Sequence, residues 1–139
     1  MGLLAANTIL PMTVAGPENT ADLTLSFGGI LINTAGVYLI TLMAVPDVNT
    51  VVGPQNQAVG LSIDGGPILV ESIIVSSPLS MLPAPTDLVK QPMSNTTLVR
   101  LNVGNVLTMV NFFANSNYQG LLSPTLSPAA SITLVKISD

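Results

Sequence analysis

With 139 residues, only 7% of them charged against roughly 25% in ordinary soluble proteins, the chain must hydrate its surface mainly without ions. Three cations, Lys90, Arg100 and Lys136, spread along the chain make no basic patch, which argues against a nucleic acid partner, and with no cysteine there is neither disulfide nor thiol chemistry. The length suits a single domain over residues 1–139 with a substantial core.

Asn, Ser and Thr supply 36 residues that can hydrate a surface, and 11 Gly with 11 Pro cut the chain into short segments, as in an all-β protein. Residues 2–14 are apolar with a break at Pro11 and predict a first strand and a short second one. Residues 15–22 gather Gly, Pro, Asn and two carboxylates and predict a surface loop. Leu23, Leu25 and Phe27 alternate with Thr24 and Ser26 as in a half-buried strand, and Gly28-Gly29 marks a bulge before a strand over 30–32.

The uncharged stretch 30–45 is the centre of the reading: a strand, a turn over 33–36, then a longer strand over 37–45. In that second strand Val37, Leu39, Thr41, Met43 and Val45 point one way and Tyr38, Ile40, Leu42 and Ala44 the other. Both faces are apolar, so a second subunit is expected over the outer one. Val37, Tyr38, Leu39, Ile40, Leu42 and Met43 are the candidate core and trimer residues. The longest uncharged run has the length of a membrane span, but Asn33, Thr34 and Gly36 in its middle argue against one, so no membrane partner is expected. Met1 is followed by Gly-Leu-Leu without a positive region, so no secretory signal is read.

Residues 46–58 predict a polar loop, 60–64 a strand, Asp64-Gly65-Gly66 a tight hairpin and 68–75 its returning strand. Four prolines make 76–94 a long loop. Residues 96–102 and 106–113 predict a hairpin turned through Val103-Gly104-Asn105, 114–130 a further loop and 131–137 a closing β-branched strand. About ten strands with no helix of useful length predict an antiparallel jelly-roll sandwich.

Catalytic chemistry finds little support. Without histidine, Ser-His and Cys-His nucleophiles and the usual zinc sites are impossible. Asp64 and Glu71 flank one hairpin but make a poor glycosidase pair, and Asp22, Asp47, Asp64 and Asp87 read as turn residues. Calcium could draw part of a shell from Asp47, Asp64 and Asp87, against the predicted hairpin order. No catalytic, cofactor or metal residue is assigned, and no enzyme is expected. The sequon Asn95-Thr96-Thr97 is a weak match, the six methionines read as core filling, and Arg100 predicts a structural ion pair.

Three segments in order carry a resemblance: Asn33-Thr34-Ala35-Gly36-Val37-Tyr38, Leu101-Asn102-Val103-Gly104-Asn105, and Ser131-Ile132-Thr133-Leu134-Val135-Lys136-Ile137. The chain after Asp22 resembles the complement-C1q/TNF-like jelly rolls, and among them the C-terminal domain of the BclA-type collagen-like exosporium glycoproteins. The resemblance implies a homotrimeric, non-enzymatic display domain, with adhesion as a candidate role, at the tip of a collagen-like filament on the spore surface. Its stalk would lie before residue 1, since no Gly-X-Y repeat stands in this sequence. The alternative is a receptor- or carbohydrate-binding tip of a phage fibre.

In the resembled roll the last strand lies inside a sheet, and it ends beside the N-terminus at the stalk. The tight turns then face the stalk, and the long loops form the distal tip. There Asn115, Asn117 and Tyr118 are the candidate contacts for a host-surface protein or glycan.

Overall fold

Short β-branched runs punctuated by Gly and Pro fold entirely as strands and turns in a computed structural model, which describes residues 5–16, 20–26, 28–49, 57–76, 88–90, 92–112, 117–118 and 129–139. In chain order the strands are β1 (Thr8–Leu10), β2 (Leu23–Ser26), β3 (Gly29–Ile32), β4 (Gly36–Ala44), β5 (Pro46–Asn49) and β6 (Gln57–Ile63). A 3-10 turn at Val70–Ser72 precedes β7 (Ile74–Ser76), β8 (Leu88–Lys90), β9 (Met93–Leu101), β10 (Val106–Asn111), β11 (Asn117–Tyr118) and β12 (Ala130–Ser138).

The first sheet runs β2-β3-β10-β6-β7, with β1 paired to β10 as well. The second runs β12-β4-β9 and is continued by β11-β5-β8. The register that pairs Ala44 with Met93 continues in step to Asp47 with Lys90, so β4 and β5 form one line of chain, and so do β8 and β9. In this register Pro92 stands opposite Val45. The Val45 N–H donates to the Ala129 carbonyl at 2.8 Å in step with the β4–β12 ladder, so Val45 bonds on the β12 side and its pairing with Pro92 does not call on the N–H that proline lacks. Counting each line once leaves ten strands among the described residues, arranged as the two antiparallel layers of a sandwich.

The layers bury one core. Ile32, Leu61, Leu107 and Met109 of the first sheet meet Tyr38, Ile40, Leu42 and Leu101 of the second, all essentially without solvent contact. Each such aliphatic side chain contributes roughly 1.5–3 kcal/mol of transfer free energy.

Several expectations are overturned. Strands β9 and β10 do not form a hairpin: β9 lies against β4, and β10 against β1, β3 and β6, so residues 102–105 cross from one sheet to the other. Residues 33–36 cross likewise, because β3 pairs with β2 and β10 while β4 pairs with β9 and β12. Gly36, read as a turn glycine, opens β4 and is needed for space, since a Cβ there would strike the Lys136 side chain and the Ser138 carbonyl. Both crossings join strands that alternate like hairpin arms, and alternation alone does not say which partner a strand takes.

The turn over 64–66 is as expected, with Asp64 and Gly65 at φ of 54° and 71°, and the Gly66 N–H bonded to the Ile63 carbonyl at 2.9 Å. Its returning arm is a strand only over β7. Residues 68–73 instead fold over β6, where Ser72 Oγ accepts from the Leu61 N–H at 2.7 Å and donates to the Leu69 carbonyl at 2.6 Å. Gly60 makes room for them, as a Cβ would collide with Ile68.

The predicted loop over 46–58 contains β5 and the start of β6, and that over 76–94 contains β8 and the start of β9. Pro78, Pro83 and Pro85 lie outside the described residues. Strand β12 is not interior: among the described residues β4 is its one neighbour.

Candidate functional site

Strand alternation divides the six residues proposed for the core and trimer. Tyr38, Ile40 and Leu42 are buried in the sandwich, while Val37, Leu39 and Met43 lie on the outer face of the second sheet. Register sets a neighbour from β9 and one from β12 beside each of them. Leu98, Leu39 and Val135 form one rung, Thr96, Thr41 and Thr133 the next, and Ser94, Met43 and Ser131 a third. Thr41 and Thr96 share a hydroxyl hydrogen bond of 3.0 Å. Leu39, Leu98, Val135 and the bulged Ile137 are 38%, 55%, 53% and 52% exposed, a concentration of open aliphatic surface that a solitary sandwich does not need. At the upper edge of this face Arg100 stands opposite Val37. Among the described residues no carboxylate side chain pairs with it: it donates one long hydrogen bond, 3.4 Å, to the Asp139 main-chain oxygen.

Sequence reasoning missed Leu98, Val135 and Ile137. Alternation alone gave β9 and β12 an outer face, but not the fact that both flank β4.

The short crossings gather at one end, as expected. The Ile32 N–H donates to the Asn105 carbonyl at 2.9 Å, and the Gly104 N–H to the Ile32 carbonyl at 2.8 Å. Asp64 closes the group from the other side: Oδ1 accepts from the Val106 N–H at 2.7 Å and Oδ2 from Asn105 Nδ2 at 2.8 Å. Asn105 Oδ1 in turn accepts from the Asn102 N–H at 2.7 Å. Asp64 thus serves its own turn and, through its carboxylate, also ties that turn to the 102–105 connection. It cannot join Asp47 around a calcium ion, because Asp47 lies in β5 beyond the opposite end of β4, and Asp87 falls outside the described residues. Among the described residues no three His, Cys, Asp or Glu side chains cluster to hold a metal.

At the same end Thr34 Oγ1 donates to Asp22 Oδ1 at 2.6 Å, and the buried Tyr38 hydroxyl donates to the Thr34 carbonyl at 2.6 Å. Lys136 Nζ pairs with Asp139 at 2.6 Å on the surface.

Burial, and secondarily the Asp22 carboxylate, hold the Tyr38 phenol above its ordinary 10.0, with Lys136 opposing. A raised phenol favours the neutral form in the fold. Its contribution to stability is complete below the ordinary value and is lost as pH rises through the folded value. We expect the melting temperature to fall more steeply above about pH 10 in the natural protein than in Tyr38→Phe, compared from about pH 8 to 11. Parallel curves would remove Tyr38 from the alkaline transition.

The opposite end is where Ala44, Met93 and Ala130 stand side by side. Of the three distal contacts, Asn115 lies outside the described residues. Asn117 and Tyr118 form β11, paired with Asp47 and Pro46, so the predicted loop over 114–130 is interrupted by a strand. The described N-terminal residues also start at this end. Asn111 Nδ2 donates to the Ala5 carbonyl at 3.1 Å and Thr8 pairs with Asn111, whereas β12 finishes at the other end, beside Val37. The expectation that the N-terminus and the last strand finish together does not hold for the described residues.

No protein-family model matches this sequence, and no curated protein does. Among solved structures, the Eiger TNF from S. frugiperda matches with a TM-score of 0.69 at 20% identity, over 99% of this chain and 87% of that one. The chain has the TNF-like fold. In that TNF-like frame the outer face of β9, β4 and β12 is the broad apolar surface, with Arg100 at its edge, the Asp64 strut braces one end, and β11 with β5 builds toward the other.

Proposed function

We propose that this TNF-like chain is a non-enzymatic homotrimeric display domain that covers the outer face of β12-β4-β9 with neighbouring copies and presents the end beyond β5 and β11 to a surface partner. The observation that carries the reading is the outer face itself, where Leu39, Leu98, Val135 and Ile137 remain open on one chain. Covering them gains about 25 cal/mol for each Å2 of apolar surface, against the entropy of association. The order of segments from Asn33 to Ile137 supports placement at the tip of a collagen-like filament on the bacterial exosporium, with Asn115, Asn117 and Tyr118 as the contact.

Sedimentation of the isolated chain tests the assembly and should return three times the monomer mass, while a stable folded monomer would overturn it. Folded trimer carrying Asn115→Ala, Asn117→Ala and Tyr118→Ala together should lose adhesion or glycan binding. Unchanged binding would remove this segment as the contact. Antibody to the domain should label intact spores of the organism that encodes it, and unlabelled spores would overturn the placement.

A further inference from the structure

Two opposite charges stand on two different apolar surfaces of this chain, neither held by a short contact among the described residues. Of the charged side chains that the structure describes, Asp22, Asp64, Lys136 and Asp139 each hold a side-chain or main-chain partner at 2.8 Å or less. Two are left over. Glu71 is exposed on the 3-10 turn, and among the described residues its carboxylate meets no hydrogen-bond or ion partner, while Arg100 has there only the long bond to the Asp139 main chain.

Each leftover charge is set among open aliphatic side chains: Glu71 beside Val70 and near Val75, which are 78% and 56% exposed, and Arg100 above the Leu98-Leu39-Val135 rung. The two cannot meet within one chain. The Glu71 carbonyl accepts from Asn95 Nδ2 at 3.0 Å, which fixes the turn against β9 five residues before Arg100, roughly 16 Å along the strand.

Building on the trimer reading, we propose that the Val70-Glu71-Val75 edge of one copy docks on the Arg100-Leu98-Leu39 face of the next, with Glu71 and Arg100 forming the ion pair between them. The two surfaces differ, so the contact is heterologous and leaves one free surface of each kind until a ring closes. The apolar residues supply the buried area, and the pair sets register and direction, since a charge left unmatched on that face would oppose docking.

Charge reversal tests the pair separately from the assembly. R100E and E71R, both at exposed positions, should keep the far-UV spectrum and cooperative melting of the natural protein but raise the subunit dissociation constant by about tenfold or more in sedimentation equilibrium. The double reversal, E71R with R100E, should restore most of the loss. If the natural chain assembles and the single reversals leave its dissociation unchanged, or the double variant is no better than the singles, the pairing is wrong and the trimer reading survives. A monomeric natural chain would overturn both. Should a reversal fail to fold, R100A and E71A repeat the comparison, with the expectation that their double variant loses no more than either single.

Discussion

A chain ending at Ala129 should yield no soluble, cooperatively melting protein. Strand β12 pairs with β4 along nearly its whole length, and its Ile132 and Leu134 pack against the core that holds Tyr38, Ile40 and Leu42. Removing it strips the ladder from one side of β4 and opens that core to water. The backbone edge so exposed is long and uncharged, a template for pairing between chains. Lost burial and lost pairing together are of the order of the whole ~5–15 kcal/mol that stabilises a domain. Expression of residues 1–129 with solubility and thermal melting as readouts checks this. A soluble truncation with a sharp transition would show that β9 alone suffices to hold β4.

Asp64→Ala should lower the unfolding midpoint in urea, with a loss of about 1–3 kcal/mol. The side chain receives the Val106 N–H and the Asn105 amide, both charge-assisted bonds, and its φ of 54° is one that alanine adopts reluctantly. Partial exposure to water keeps the loss at this scale. Asp64→Asn retains an acceptor and tolerates the same backbone, so it should lose distinctly less. Equal midpoints for the natural protein and Asp64→Ala would mean that the strut does not brace the two connections.

The sequence carried the fold class through residues that report on single strands. Alternation in 37–45 sorted Tyr38, Ile40 and Leu42 from Leu39 and Met43 correctly, and Asp64-Gly65 announced its own turn because positive φ is a local demand. Pairing was not legible. The strands of 96–102 and 106–113 are close in sequence and joined through Gly104, yet their apolar faces meet across the core instead of their edges meeting in a ladder. Proline misled in the other direction: Pro46 begins β5 and Pro92 stands just before β9, places at a strand's start where a missing N–H is tolerated. Of the candidate site, the outer residues of β4 were visible, whereas the placing of Leu98 and Val135 beside them depends on long-range register.

The exchange of neighbours beyond Val45 divides the second sheet in two. Val45 bonds on the β12 side through Ala129, and beyond it β5 takes β11 as its neighbour in place of β12, so that among the described residues β5, β8 and β11 share no ladder with β12. Amide exchange should divide at that point, with residues 36–44 slow and residues 46–49 faster. Local opening of β5, β8 and β11 would then leave the ladders of β4 with β9 and β12 in place.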